Sequence, residues 1–583
     1  MNSLDELGMQ LKLHQSSLRN NYLNIYEHEI ISRWAGKCKI VIISDDIPEH
    51  IASIFSMRFP KSEILILTYK KSFDSSKFSV LKNVNFHIFN SIKELLDWSC
   101  NIGLANVIIE HSANYKSHKI NLFKSLFLHL KDNGVYFVEE LHAKFISVLI
   151  DCDGDDINEY LDKLINLKIS PQEIKKNQEK LTVSIAEHIE KVTIQGKLAS
   201  IYKTGRTFKG LRPKMAKDLI DKKIISGEII FESSTPDSYN GKNFSNGNNI
   251  ELLRNRHKNQ FKIPASYINR YSSTSCYPGQ VVICDNFILP DTFRMQHHKN
   301  LSNRHLNSLG DFFYSLKSIV KTTDLKGDYL YLDSEYPSHF GHFTSEVVSR
   351  LWAWKHIKSK VPSLKVLISV DKQKQLPSFS RKILNSYGIE DVDIVTFDEP
   401  VKVENLFTAS PYYVIGSHAH PNINETWLDI ANGVKDGNPK IEGNKLFIAR
   451  PNNGERKCVN PDRLEDIFIN AGFEFFHPEN HSWEDQIQTF SKAKYIAGYS
   501  GSGLFNIMFC RNATHVISIG SDSYNAVNEH LICSIKNINL DYIWADSLIK
   551  QGTSWSEKAF KSDYSFNYER DENYLLDVLS KLE

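Results

Sequence analysis

The chain has 583 residues, of which 41% are apolar, with 70 basic against 69 acidic side chains. That length exceeds one ordinary domain, and a net charge of +1 argues against a general nucleic-acid-binding surface. The eight cysteines (38, 100, 152, 276, 284, 458, 510, 533) form no C-x-x-C pair, which argues against a zinc site and a disulfide framework and predicts reduced, mostly buried thiols in a cytosolic protein.

The start, "MNSLDELGMQLKLHQSS", lacks the apolar core of a signal peptide, and no uncharged apolar run approaches the roughly 18 residues of a membrane span. Residues 1–150 then alternate strand and helix: "KIVIIS", "EILILTY", "NVNFHIF", the helix "SIKELLDWSC", "ANVIIEH", the helix "KINLFKSLFLHL", a turn at Asp132, Asn133 and Gly134, and "VYFVEEL". Such alternation predicts a parallel, doubly wound sheet. Residues 151–210 are polar and helical by period and read as a helical connector, and "DCDGDD" (151–156) as an acidic turn, since its spacing departs from a calcium loop. A turn-rich loop spans 232–249, and sequons such as those at Asn243 and Asn424 match chance in an Asn-rich chain.

From about 250 the α/β pattern resumes in two blocks. The first carries "QVVICDNFIL", "DYLYLDS", a helix from about 340, "KVLISV", "DIVTF" and "YYVIG"; the second, from about 444, carries "KLFIAR", "FEFFHP", "YIAGYS", "HVISIG" and "LDYIWA". The expected fold is therefore α/β and multi-domain. A Rossmann-like domain (1–150) and the connector (151–210) precede two Rossmann-like halves, 211–438 and 439–583, with a cleft at the carboxyl ends of their strands.

Three segments carry chemistry. In "HFGHFTSEVVSR", His342, Glu346 and Arg350 recur at i, i+4, i+8 and share one helix face. They form either an active-site edge or a solvated ladder with a Glu346–Arg350 ion pair. In "RPNNGERKCVN", Arg450, Arg456 and Lys457 cluster across a turn, either as a phosphate site or as a basic surface turn. In "YSGSGLFN", the turn Ser500, Gly501, Ser502, Gly503 joins a strand to a helix containing Asn506, and can cradle a phosphate or be a plain turn.

The ordered set "HFGHFTSEVVSR", "LFIARPNNGERKCVN", "FEFFHPENHSWEDQIQTFSKAKYIAGYSGSGLFNIMF" and "THVISIG" resembles glycosyltransferase family 61, including its bacterial capsular-polysaccharide members, over about 250–545. The resemblance implies an inverting transferase of GT-B architecture that moves a sugar from a nucleotide sugar, UDP-linked, to a growing cell-surface glycan or lipid-linked glycan. It implies no metal or other cofactor in the chemistry, no nucleic-acid partner, and a cytoplasmic place at or near the inner face of the membrane. The turn at 500–503, with Arg450, Arg456 and Lys457, would then face the diphosphate while Asn506 braces the turn. Glu346 would act as base with His342 as its positioning partner. Two departures bear on these roles: Ser500 stands where the family has His in "HGAGL", and His339 where it often has Asn. The rival readings are a non-catalytic sugar-nucleotide-binding or scaffolding protein and a bifunctional methyltransferase–glycosyltransferase.

Residues 35–142 resemble the late strands of a class I methyltransferase. There the first strand "KIVIIS" should run into a glycine-rich cofactor turn. Instead "DDIPEHIA" follows without a glycine before Phe55, and "ILILTYKKS" lacks the acidic ribose-binding residue. The expectation is a domain that does not methylate, unless the true turn lies near Gly36.

Overall fold

The computed structural model describes residues 2–44, 47–69, 80–111, 115–146, 149–153, 155–233, 238–241, 244–309, 312–315, 322–450 and 454–582. Asp45 and Asp46 of the first turn, residues 70–79 after "ILILTY", Gly154 of the acidic turn, the sequon at Asn243 and residues 451–453 of the basic loop lie outside the described residues. The chain forms two compact units. One is Met1–Leu211 with Asn286–Ile288 and Leu306–Ser318; the other is Arg212–Asp285 with Leu289–His305 and Ile319–Glu583.

The first unit holds a seven-stranded sheet of β1 (Lys39–Ile43), β2 (Glu63–Thr68), β3 (Val84–Ile88), β4 (Ala105–Glu110), β5 (Leu130–Val138), β6 (Ile189–Gln195) and β7 (Leu198–Lys203), in the order β3-β2-β1-β4-β5-β7-β6. β1 to β5 are parallel, and β7 runs antiparallel to both neighbours. Both faces are covered, as parallel sheets require. Ile40, Ile42, Ile64 and Val107 pack with Tyr26 and Phe55 on one face, and Val41, Ile43, Leu65 and Ile108 with Phe123 and Leu164 on the other. The expected connector is helical only as far as His188. The hairpin β6–β7 then completes the sheet, turning at Gly196 with φ of 60°. The turn expected at Asp132 to Gly134 is a bulge inside β5, where the ladder to β4 shifts register and Asn133 takes φ of 62°. Gly36 precedes β1, just past the helix Tyr22–Trp34, and so cannot be the turn that follows the first strand.

The second unit contains two α/β halves that share one apolar core, running from Leu330 and Val366 to Ile448, Ile496 and Leu504. In the first half the parallel strands Thr323–Tyr331, Lys365–Ser369, Ile394–Phe397 and Val401–Ala409 are ordered 3-2-1-4, with Tyr267–Tyr277 antiparallel beside the last. In the second half the strands Lys445–Ile448, Glu474–Phe476, Tyr495–Tyr499, His515–Ser521 and Asn539–Ser547 are all parallel and ordered 2-1-3-4-5. Cys38, Cys152, Cys276, Cys284, Cys458, Cys510 and Cys533 are free thiols. Among the described residues no helix is long and apolar enough to cross a membrane.

Candidate active site

A 2-1-3-4-5 sheet reverses its winding between its first and third strands, and ligands bind beyond their carboxyl ends. Here those strands are Lys445–Ile448 and Tyr495–Tyr499. Arg450 follows the first and the Gly-Ser turn follows the second, so the topology itself brings the two segments together. Gly501 takes φ of 140°, and a Cβ placed on it would lie 2.7 Å from Arg450 Nη2 and 3.3 Å from Arg456 Nη2. Only a glycine lets both guanidinium groups approach the turn this closely.

The two arginines are held by uncharged partners. Arg450 Nη1 donates to the carbonyls of Glu455 (3.0 Å) and Arg456 (2.8 Å). The Arg456 guanidinium lies over the Tyr524 ring, 4.4 Å from its centroid, and its buried Nε has no hydrogen-bond partner. Among the described residues neither makes an ion pair with a carboxylate. Burial and the neighbouring Arg456 lower the Arg450 pKa, against the opposing pull of Tyr564, Tyr524 and Glu529. Behind the turn, Glu529 Oε1 accepts the Gly501 N–H at 2.9 Å, and Oε2 has no partner. Burial pushes this carboxyl up to about 7 against the opposing pull of backbone N–H groups and both arginines.

Arg450 and Arg456 open onto a cleft of about 600 Å³ with Ser502, Gly503 and Asn506, and Phe340, Phe379 and Trp483 supply its aromatic wall. Ser500, Gly501, Lys457, His342 and Glu346 do not line it. Ser500 is 3% exposed and points into the sheet, where its Oγ bonds Ser518 Oγ and Tyr542 Oη, both at 2.7 Å. Lys457 is tied through its backbone to Asp563 and Tyr564. Asn506 Nδ2 donates to Gln486 Oε1 at 2.8 Å and makes no bond to the turn.

The helix that begins at Phe340 supplies a second cluster. Its N-cap His339 accepts the His342 N–H through Nδ1, and Phe343–Val347 form a π-helical turn before the α-helix Trp352–Lys358. The side chains of Thr344, Ser345, Ser349 and Arg350 bond the carbonyls of Phe340 or Gly341, Gly341, Glu346 and Glu346. They thereby satisfy backbone acceptors that a widened turn leaves poorly paired. The solvated ladder is absent: Glu346 is 7% and Arg350 3% exposed, and Arg350 bonds the Glu346 carbonyl rather than its carboxylate.

That carboxylate is claimed by three other groups. Arg294 Nε lies 2.6 Å from Oε1, His342 Nδ1 is 2.9 Å from the same oxygen, and Ser334 Oγ donates to Oε2 at 2.7 Å. Burial alone would raise the Glu346 pKa, but the His342 hydrogen bond and the Arg294 charge outweigh it and hold the group down at about 2. Tyr336 stacks on His342 at 4.5 Å, and Arg294 and Arg304 lie over the Tyr336 ring. The two clusters adjoin, because a Cβ on Gly341 would stand 3.1 Å from Ser502 Cβ. Arg294, Ser334 and Glu529 had no sequence signal, whereas Gln486 sits in "WEDQ", where no role was read. Among the described residues of this unit, no three metal-ligating side chains gather.

Residues 340–517 match the family model described as Glycosyltransferase 61, a stretch that contains every site residue expected from the sequence. Among proteins with curated functions, none matches the chain. Similar solved structures include methyltransferases, which match the N-terminal region. The MycE methyltransferase of mycinamycin biosynthesis, with Mg and SAH, is 15% identical over 35% of this chain and 55% of its own, with a TM-score of 0.30. The O-methyltransferase TomG from Streptomyces achromogenes is 10% identical over 35% and 88%, with a TM-score of 0.22. The chain thus spans little more than half of the first structure, and the assignment of the first unit as a parallel doubly wound sheet rests on its own strand order.

Proposed function

We propose that the protein is an inverting, nucleotide-sugar-dependent glycosyltransferase that extends a cell-surface glycan, with the GT-B type of cleft between the two halves of the second unit. The observation that carries this reading is the pair Arg450 and Arg456, without a carboxylate partner among the described residues, converging on Gly501 at the switch point of the second half. Two planar cations suit the oxygens of a diphosphate. The aromatic wall of Phe340, Phe379 and Trp483 suits the flat base of a UDP-type nucleotide. Ser502 and Gly503 are assigned to the diphosphate edge, whereas Ser500 and Lys457 take supporting positions behind it.

In the reaction, the acceptor hydroxyl attacks the anomeric carbon as the bond to the diphosphate breaks, and a base removes the hydroxyl proton. Glu346, held at about 2, is a weak base. We therefore exchange the roles read from the sequence. His342 Nδ1 faces Glu346 Oε1 at 2.9 Å and Arg294 Nη2 at 3.2 Å; we assign the Nδ1–H to the carboxylate, which leaves Nε2 to take the proton. The departing diphosphate carries its new charge onto Arg450 and Arg456.

The first unit is proposed not to methylate, since no glycine follows β1 before the helix Pro48–Arg58 ends. A thermal-shift and hydrolysis screen of the full chain against a panel of nucleotide sugars tests the whole reading. One donor that stabilises the protein and is slowly hydrolysed supports it. Binding without turnover, even with acceptors present, supports the scaffold reading. No binding to any nucleotide sugar overturns both.

A further inference from the structure

A separate constellation lies in the first unit, at the carboxyl edge of its sheet. β4 and β5 are neighbours with Glu110 opposite Val138, so the next residues of each strand, His111 and Glu139, emerge side by side. The loop between the helices Leu4–Gln10 and Tyr22–Trp34 brings His14 and Gln15 over them, anchored by Ser16 Oγ to the Leu13 carbonyl and by the Leu23 N–H to the Gln15 carbonyl. One ligating atom from each of His14, His111 and Glu139 lies within 4.8 Å of the others.

We propose that His14, His111 and Glu139 bind one zinc ion. Four ligands at about 2.0–2.1 Å from a tetrahedral zinc stand about 3.3 Å apart. The observed separations bracket that value: His111 Nδ1 to Glu139 Oε2 is 2.7 Å, and His14 Nε2 to the same oxygen is 3.8 Å. Two imidazoles and one carboxylate suit zinc, whereas magnesium and calcium take oxygen ligands almost throughout.

A second observation points to the same spot. Gln15 is fully buried, its Nε2 stands 3.0 Å from His14 Nε2 and 2.6 Å from His111 Nδ1, and its buried Oε1 has no hydrogen-bond partner. Turning the amide over would put that oxygen where the nitrogen stands and offer zinc a fourth ligand. Around the ligands, Tyr26 Oη donates to Glu139 Oε1 at 2.6 Å, the outer-shell contact that orients a ligating carboxylate. His14 is the open side of the site, with 29% of its side chain exposed, whereas His111 and Glu139 are buried at 4% and 2%. Zinc bound here would clip the N-terminal loop onto the sheet edge, so that metal affinity appears as stability of the fold.

The test uses the full chain, stripped with chelator and dialysed, and titrated calorimetrically with zinc chloride. One equivalent should bind, with a rise in melting temperature. His14→Ala, at a partly exposed position that leaves the core intact, should weaken that binding by more than about 100-fold, since loss of an outer-shell partner alone costs 10–100-fold. Cobalt(II) in the same site should show ligand-field bands without thiolate charge transfer. Equal zinc uptake by the wild type and a folded His14→Ala variant would overturn the proposal, as would a thiolate band, which would place the metal on cysteines.

Discussion

The carboxyl edges of two parallel sheets, one in each unit, invite comparison because their scaffolds are alike and their turns are not. After β1 of the first unit the chain runs to Pro48 without a glycine, and the edge gathers imidazoles and carboxylates: His14, His111 and Glu139. After the strand Tyr495–Tyr499 of the second unit comes Gly501, and the edge gathers Arg450 and Arg456 with no carboxylate ion-paired to them among the described residues. A doubly wound sheet supplies an edge, and the residues of one turn decide whether that edge favours an anion or a cation.

Four measurements can break or sharpen that contrast. The largest effect is expected for His342→Ala, which removes the proposed base. Turnover with a competent acceptor should fall by about 10²–10⁴-fold while nucleotide-sugar affinity stays nearly constant; a loss of less than about fivefold would remove His342 from that role. Next is Arg450→Ala. A charge-assisted hydrogen bond to phosphate contributes roughly 1.5–3 kcal/mol, so calorimetry should show affinity about ten- to a hundredfold weaker. Unchanged affinity in the folded variant would return the basic loop to an ordinary surface turn.

A smaller effect concerns pH. Glu529 faces Gly501 with Arg450, Arg456, Tyr524 and Tyr542 around it, and burial raises its pKa to about 7. Protonated, it leaves the arginines' charge to the ligand; ionised, it competes for that charge. Affinity for a nucleotide sugar, whose own phosphates do not titrate in this range, should therefore decline severalfold as pH rises through about 7. Glu529→Gln should flatten the profile, and a flat profile in the wild type would contradict the assignment. The smallest expected signal is none at all: S-adenosylmethionine titrated into the full chain should give no heat at millimolar concentration. Micromolar affinity would revive the bifunctional reading and make the two edges functional equals.

Much of this was legible from local pattern. The apolar runs that became β1, β2 and β4 announce themselves, because strands buried on both faces read as unbroken Val, Ile and Leu. The hairpin β6–β7 did not, because Ile185, Ile189 and Val192 happen to fall at helical spacing and Glu190 and Lys191 face solvent. At the site, Arg450 and Gly501 each follow a strand of the same half, which was legible, while the 2-1-3-4-5 order that makes those two strands neighbours was not. Arg294 lies 52 residues before Glu346, and its contact with that carboxylate depends on tertiary folding that no spacing rule reaches. The inward turn of Ser500 was hidden for a different reason: Tyr495–Tyr499 is buried on both sides, so the strand carries no polar alternation from which the next residue's facing could be read.

The π-helical turn at Phe343–Val347 has a consequence for how this site can be gained or lost. Such a turn amounts to an α-helix carrying one extra residue. Deleting Thr344 or Ser345 would let the helix close as α with its flanking turns in phase and bring His342 and Glu346 from i, i+4 to i, i+3 spacing. The imidazole of His342 would leave the carboxylate of Glu346 while Leu351, Trp354 and Ile357 kept their places in the core. The one extra residue of this turn thus separates the chemistry of the segment from its contribution to folding.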